Sequence, residues 1–465
     1  MSDEHVPRDG TGGHKEIPGM FEGPILAPLV KLTFPIFFGM VFQILYNIVD
    51  TIWISRIDLA DPSYVGGVGI VFPVFFFVIA LASGIMIGTS SLVARSIGAK
   101  DKYVLDRTAE SGLFIGLILA AVVLVLGYLF DERMLRLLGA KDDYFTHGLE
   151  YLRYILPAGA MMIVLDVFAG ILMGEGLMKH IMYAMIISTM TNIALDPVFI
   201  FYLKMGVGGA GLATVVSQIV PFIYVFFLFH KKKTTVPIEW KPRNIKASIV
   251  KQIVIIGIPQ SAGHISMAIS FIFFNRLIMS IDPLALTAFS ICGRFDYIIL
   301  VPMLSFGSAM LTMIGQNFGR KNYRRVLDIW KVGLFTMLVV TAFLAGLLVL
   351  FASRIFPFFS TVDQVVRYAV LQTRIVEFSF VMGGIAIIAQ SAFQGIGRAL
   401  PGLVLTIIRI VGVSLPLAYI LVYTTNLGIY GIWYGIIIGN VTSALVALFW
   451  VRKTFGSYVE PGISS

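Results

Sequence analysis

The sequence predicts an all-α membrane protein with twelve spanning helices, arranged as two related six-helix bundles. Three observations carry this prediction. The 465 residues are 58% hydrophobic and only 13% charged, whereas a soluble domain carries roughly 25% charged residues to cover its surface. The apolar residues fall in runs of about 20, the length that crosses a hydrocarbon core as a helix. The pattern of the first half also returns in the second. Mean hydropathy is +0.89, and the strand alternation of an outer-membrane barrel is absent.

The spans are expected at 28–56, 64–92, 108–130, 149–173, 181–203 and 208–230, then at 249–280, 284–314, 328–352, 367–394, 401–424 and 428–451. This divides the chain into a first lobe (28–230), a basic linker (231–248) and a second lobe (249–453), flanked by tails at 1–27 and 454–465. The opening stretch Met1 to Gly23 is polar and mixed in charge. It lacks the apolar core of a signal peptide and is expected to form a disordered cytoplasmic tail. The linker region carries Lys231, Lys232, Lys233, Lys241, Arg243 and Lys246, with Pro237 and Pro242.

The net charge of +9 could suggest a nucleic-acid partner, but the basic residues sit in short loops, where they set topology instead. With the N-terminus inside, the inner loops hold Arg95, Lys100, Lys102, Arg107, the linker, Arg320, Lys321, Arg324 and Arg325. The outer loops hold only a few, such as Arg56, Arg133 and Lys204. Both termini are therefore expected to be cytoplasmic, in the cell membrane of a prokaryote. A single cysteine, Cys292, excludes an internal disulfide and a cysteine-rich metal centre.

The repeat runs at an offset near 221 to 224. Pro35 matches Pro259. Gly98-Ala99-Lys100 matches Gly319-Arg320-Lys321. Gly174-Glu175-Gly176 matches Gly395-Ile396-Gly397, and Gly206, Gly209 and Gln218 match Gly428, Gly431 and Asn440. An even number of helices per half gives both halves one topology, related by an axis along the membrane normal.

Ionisable residues inside a membrane are costly and mark functional sites. Gln43, Asn47 and Asp50 share one face of the first helix, with Tyr46 beside them. Asn192 and Asp196 are one turn apart on the fifth helix, as are Thr214 and Gln218 on the sixth. Asp166 lies inside the fourth. This oxygen-rich set, without His or Cys, suits a hard cation. Paired carboxylates in a low-dielectric bundle also hold protons, so Na⁺, H⁺ or both remain open as ligands. Interhelical hydrogen bonding is the simpler use of Asn, Gln and Thr in a membrane. Pro35 is either a hinge that frees carbonyls or merely a helix start. In the second half, Arg294, Asp296, Arg374, Glu377 and Arg409 are expected to form interhelical pairs or to lie near a membrane surface. Of the six histidines only His264 falls well inside a span.

The run Pro35 to Asp50 (PIFFGMVFQILYNIVD) resembles the first helix of the MATE (multidrug and toxic compound extrusion) transporters of the MOP superfamily. Asn192-Ile-Ala-Leu-Asp196-Pro197 is similar to their fifth-helix motif, Gly206 to Gln218 to their sixth helix, and Phe393-Gln394-Gly395-Ile396-Gly397 to the end of their tenth. The likeness covers nearly the whole chain and is closer to the DinF branch, including its archaeal members, than to the NorM branch. The NorM pattern would place an acid where this chain has Met267, and an Asp near Gly383 or Gly384.

The resemblance implies a V-shaped pair of lobes, with a cation site at Asp50, Asn192, Asp196 and Thr214 and a cavity lined by Gln43 and Tyr46. Asn47, Asp166 and Gln218 join that cavity, and Asp166 departs from the pattern, which has an amide there. The expected activity is H⁺- or Na⁺-coupled export of amphipathic, often cationic compounds by alternating access, by a functional monomer without a cofactor. Two rival activities make different demands. A flippase of lipid-linked precursors would need a large cationic cavity, and an intramembrane enzyme would need a recognisable catalytic cluster.

Overall fold

The computed structural model describes residues 18–58, 60–239 and 241–459. Most of the expected N-terminal tail and the last six residues of the C-terminal one lie outside them. Among the described residues, twelve helices are long and apolar enough to cross a membrane: α1 (Leu26–Ser55), α2 (Ser63–Ala99), α3 (Lys102–Leu137), α4 (Asp142–Glu175), α5 (Met178–Tyr202), α6 (Gly206–His230), α7 (Ala247–Ile281), α8 (Pro283–Gly319), α9 (Tyr323–Phe358), α10 (Asp363–Gly395), α11 (Leu400–Thr424) and α12 (Ile429–Val459). Several outrun their expected spans. Hydropathy sees only the hydrocarbon-length core of a helix, whereas α2 and α8 each run 37 residues, about 55 Å at 1.5 Å per residue.

Caps explain where these helices stop and why the halves look alike. α2 ends at Lys100 in the left-handed region (φ 54°), and Asp101 caps α3 by accepting from the Val104 amide at 3.1 Å. At the matching place Lys321 has φ 62°, and Asn322 caps α9 by accepting from the Arg325 amide at 3.3 Å. An Asp or Asn side chain satisfies an orphan amide of the first turn. The halves differ in their wide turns: α5 becomes π-helical at Val198–Tyr202, just after Pro197, and α11 is π-helical at Ile408–Ser414.

The lobes meet along α2, α7 and α8, with α1 also against α8. The closest approach is at the ends of α2 and α8. A side chain on Gly98 would overlap the Gln316 carbonyl, and one on Gly319 would overlap that of Arg95. Bonds across this seam keep the same reciprocity: Ser91 donates to the Gln394 carbonyl, and Thr312 donates to the Met173 carbonyl at 2.7 Å. These contacts lie at the end of the bundle that carries the linker and the start of α1, called the terminal face below.

Two straps cross this face in opposite senses. The segment leading into α1 is seated on the second lobe. Arg325 donates to the carbonyls of Gly19 (2.6 Å), Met20 (3.2 Å), Glu22 (3.2 Å) and Gly23 (3.0 Å), Asn317 donates to Met20 at 3.0 Å, and Arg320 covers the Phe21 ring. Gly19 and Gly23 take φ of 82° and 72°, a region open to glycine that lets these carbonyls converge. The linker leading into α7 is seated on the first lobe. Glu175 accepts from the amides of Thr235 (2.9 Å) and Val236 (2.7 Å), and Glu110 from that of Glu239 (2.7 Å).

Candidate cation site

Helical spacing and packing bring four side chains of the first lobe together. Asp50 comes from α1, Asn192 and Asp196 from one face of α5, and Thr214 from α6. All four are buried, with 8%, 0%, 0% and 1% exposure respectively. The Thr214 hydroxyl donates to the Ala210 carbonyl at 3.1 Å, so the Tyr46 hydroxyl, 3.3 Å away, donates to Thr214. Asn192 Nδ2 donates to Asp196 Oδ1 at 3.2 Å. The carboxyls of Asp50 and Asp196 lie close enough to act on each other.

The hydrogen-bond inventory is incomplete in a particular way. Asp50 Oδ1, Asn192 Oδ1 and Asp196 Oδ2 are buried and have no protein partner among the described residues. All three are acceptors, and buried acceptors are normally satisfied. Three unmet oxygens beside a hydroxyl have the chemistry that suits a hard cation or a held proton. No group of three or more His, Cys, Asp or Glu suited to a metal occurs among the described residues. The set therefore rests on two carboxylates, an amide and a hydroxyl.

The other expected cavity residues are arranged more loosely. Gln43 and Asn47 are exposed on α1, while Asp166 and Gln218 are half-buried. Asp166 is not among the groups that act on the Asp50 and Asp196 carboxyls among the described residues. Pro35 is buried within a continuous α1. Its ring removes the amide that would bond the Lys31 carbonyl. About two turns further on, the Phe42 carbonyl accepts from Thr189 of α5 at 3.3 Å.

The sequence reading missed Tyr151. It is 8% exposed on α4 and lies near enough to Asp50, Tyr46 and Asp196 for their charges to act on it. Its one signal was a tyrosine at a buried helical position, which does not stand out among 18 tyrosines.

The expected pairing in the second half is corrected. The ion pairs among the described residues are Arg136–Glu132, Arg153–Asp131 and Lys241–Glu239, and none involves Arg294, Asp296, Arg374, Glu377 or Arg409. Arg294 and Arg374 are exposed, and Arg374 donates to Ser353 at 2.8 Å. The two acids turn inward instead. Cys292 of α8 meets Thr373 of α10 at 3.8 Å. One turn further along these parallel helices, Asp296 and Glu377 act on each other.

Comparison with known proteins agrees with this architecture. The MatE family profile matches residues 35–198 and again 259–420, once in each lobe. The chain is 26% identical over 408 residues to the Bacillus subtilis protein named Probable multidrug resistance protein YoeA, covering 86% of this chain and 88% of that one. A solved structure described as MATE in the straight conformation superposes with a TM-score of 0.90 at 30% identity, over 96% of this chain and 100% of that one. A Pyrococcus furiosus transporter of the MOP superfamily, described as having a binding pocket of reversed polarity that suggests a different function, superposes with a TM-score of 0.89 at 31% identity, over 96% and 99%. Two copies of one helical plan, matched in each half and across the whole length, make this chain a multi-pass membrane transporter of the MATE family.

Proposed function

We propose that the chain is a cation-coupled exporter of amphipathic, often cationic compounds, working by alternating access in a cell membrane with its terminal face in the cytoplasm. The reading rests on one observation above all: three buried acceptor oxygens, on Asp50, Asn192 and Asp196, without protein partners. Asp50 and Asp196 then hold the coupling ion, H⁺ or Na⁺, with Asn192 and Thr214 completing the oxygen set. Neutralising the pair removes their mutual repulsion and draws α1 toward α5. Pro35, with the Lys31 carbonyl freed, lets the N-terminal turns of α1 adjust. Gln43, Asn47, Asp166 and Gln218 present polar contacts to substrate, and Tyr46 links that surface to Thr214. Coupling follows if drug and cation favour different states of the lobes. The acidic lining weighs against a carrier of lipid diphosphates. The names of relatives such as YoeA support drugs as the substrate class.

The test is efflux from proteoliposomes under H⁺ and Na⁺ gradients imposed separately. One gradient should drive export of a cationic dye, and Asp50→Asn and Asp196→Asn, normally inserted, should abolish the gradient-driven component. Full-rate efflux by both variants would overturn the reading.

A further inference from the structure

A polar chain crosses the seam between the lobes, away from the candidate cation site. It begins at Ser83 of α2, whose hydroxyl lies 3.0 Å from the Ala80 carbonyl and 3.0 Å from His264 Nδ1 of α7. His264 Nε2 lies 3.2 Å from Gln260 Nε2. Gln260 Oε1 accepts from both Gln390 and Gln394 of α10, each at 2.7 Å. Gln390 Oε1 lies 3.5 Å from the hydroxyl of Thr406 on α11. The same seam is tied again by Ser261, which donates to the Ala80 carbonyl at 2.8 Å.

Counting donors fixes the state of His264. An amide nitrogen can only donate, so Nε2 accepts from Gln260 and carries no proton. Nδ1 then bears the hydrogen and donates to Ser83, whose own proton goes to Ala80. The ring is neutral, with both nitrogens used. Gln260 Oε1 has given its two lone pairs to Gln390 and Gln394. A proton added at Nε2 would point into N–H donors. Relief requires the Gln260 amide to turn, which sets its NH2 against those of Gln390 and Gln394. Those two must then turn as well, and Gln390 must present its NH2 to Thr406. The alternative is for α2 and α7 to part and let water in.

The helices packed against α7 offer His264 no countercharge at this level. α2 has no titratable side chain between Tyr64 and Arg95, α3 none between Glu110 and Tyr128, α7 none besides His264 between Lys251 and Arg276, α8 none between Tyr297 and Arg320, α10 none between Glu377 and Arg398, and α12 none between Tyr434 and Arg452. On α11 the nearest is Arg409, whose guanidinium reaches toward Gly383, two turns from Gln390 along α10. A charged imidazole there would be half-buried with no anion beside it, which a protein interior disfavours.

We infer that His264 is a second proton-responsive residue: neutral, it ties the two lobes together in the state seen here, and its protonation loosens that tie. It acts as a positioning residue, through the seam rather than through the cation site. Histidine is the side chain whose charge changes near neutral pH, so the balance of lobe positions becomes pH-dependent independently of Asp50 and Asp196.

The test removes the proposed cation site as a source of pH dependence. Full-length protein carrying Asp50→Asn, Asp196→Asn and Cys292→Ala is spin-labelled at cysteines replacing Lys102 and Arg324, both exposed on the terminal face. The interlobe distance distribution is then measured in lipid from pH 8 to pH 5. The separated population should rise against the close one by up to tenfold per pH unit, the limit for one linked proton. His264→Gln, which keeps a hydrogen-bonding amide but cannot charge, should hold the distribution of pH 8 throughout. His264→Asn serves as a second uncharged replacement should Gln pack poorly. A pH-independent distribution with His264 present, or an unchanged titration in both variants, overturns the inference.

Discussion

Arg325→Ala should release the strap that leads into α1. Arg325 makes four bonds to the carbonyls of Gly19, Met20, Glu22 and Gly23, at 2.6 to 3.2 Å. Charge-assisted bonds contribute about 1.5–3 kcal/mol each, but this guanidinium is partly solvated and its NH2 serves two carbonyls, so the set is worth far less than four such bonds. After discounting for solvent, about 2–3 kcal/mol is lost from the closed strap, while the Asn317 bond and the Arg320–Phe21 stack remain. That shifts the opening equilibrium about 30- to 150-fold.

Met20 is the reporter, because its side chain is only 2% exposed beneath the strap. Peroxide converts an accessible methionine to its sulfoxide. When opening is fast, the rate follows the open population. Mass spectrometry of the Met20 peptide should show oxidation about 30- to 150-fold faster in Arg325→Ala, and an intermediate rate in Arg325→Lys, whose ammonium offers three donors from a single point. A change below about threefold in the alanine variant would refute the claim that these bonds hold the strap.

Three further outcomes follow from the geometry. Thr214→Val removes one oxygen and the partner of Tyr46, so half-saturation of efflux by the proposed coupling cation should rise about tenfold, the effect of losing one net hydrogen bond; an unchanged half-saturation would remove Thr214 from the proposed site. Gly98→Val drives a side chain into the Gln316 carbonyl, a backbone atom that cannot swing aside, and should lower thermal stability in detergent by about 1–3 kcal/mol, whereas Gly69→Val, with open space around it, should not. In the linker, hydrogen bonds from Lys241 and then Asn244 hold the Glu239 carboxyl below its ordinary range. Its contribution is therefore full above the ordinary glutamate value and fades as pH falls through the lowered one; Lys241→Ala should move the Glu239 titration upward in spectra of ¹³C-labelled glutamate.

The twelve helices were legible because hydrocarbon thickness imposes a length on every apolar run, and the repeat was legible because caps such as Asp101 and Asn322 obey local rules. Asp50, Asn192, Asp196 and Thr214 could be singled out for a similar reason: a polar residue in an apolar helix is conspicuous, and one-turn spacing puts Asn192 and Asp196 on one face. What stayed hidden depends on which helices lie side by side. Tyr151 carries no mark of its partners, because helix spacing says nothing of what packs across from α4. Asp296 and Glu377, 81 residues apart, meet only because α8 and α10 run parallel. Arg294 and Arg374, on the same two helices, turn outward. The links from Ser83 to His264 and from Gln260 to Gln390 span 181 and 130 residues, beyond any pattern within one span.

The crossed straps also bear on how the chain is made. Gly19 and Met20 leave the ribosome first, yet their partners Asn317 and Arg325 follow some 300 residues later. At about 5–20 residues per second that delay is roughly 15–60 s, during which the first lobe is inserted with its leading segment unanchored. The linker has no such wait, since Glu110 and Glu175 precede it. Membrane insertion of the first lobe can therefore finish well before its terminal face does, and a chaperone or protease that reads exposed N-terminal segments has a window that closes only when α9 begins.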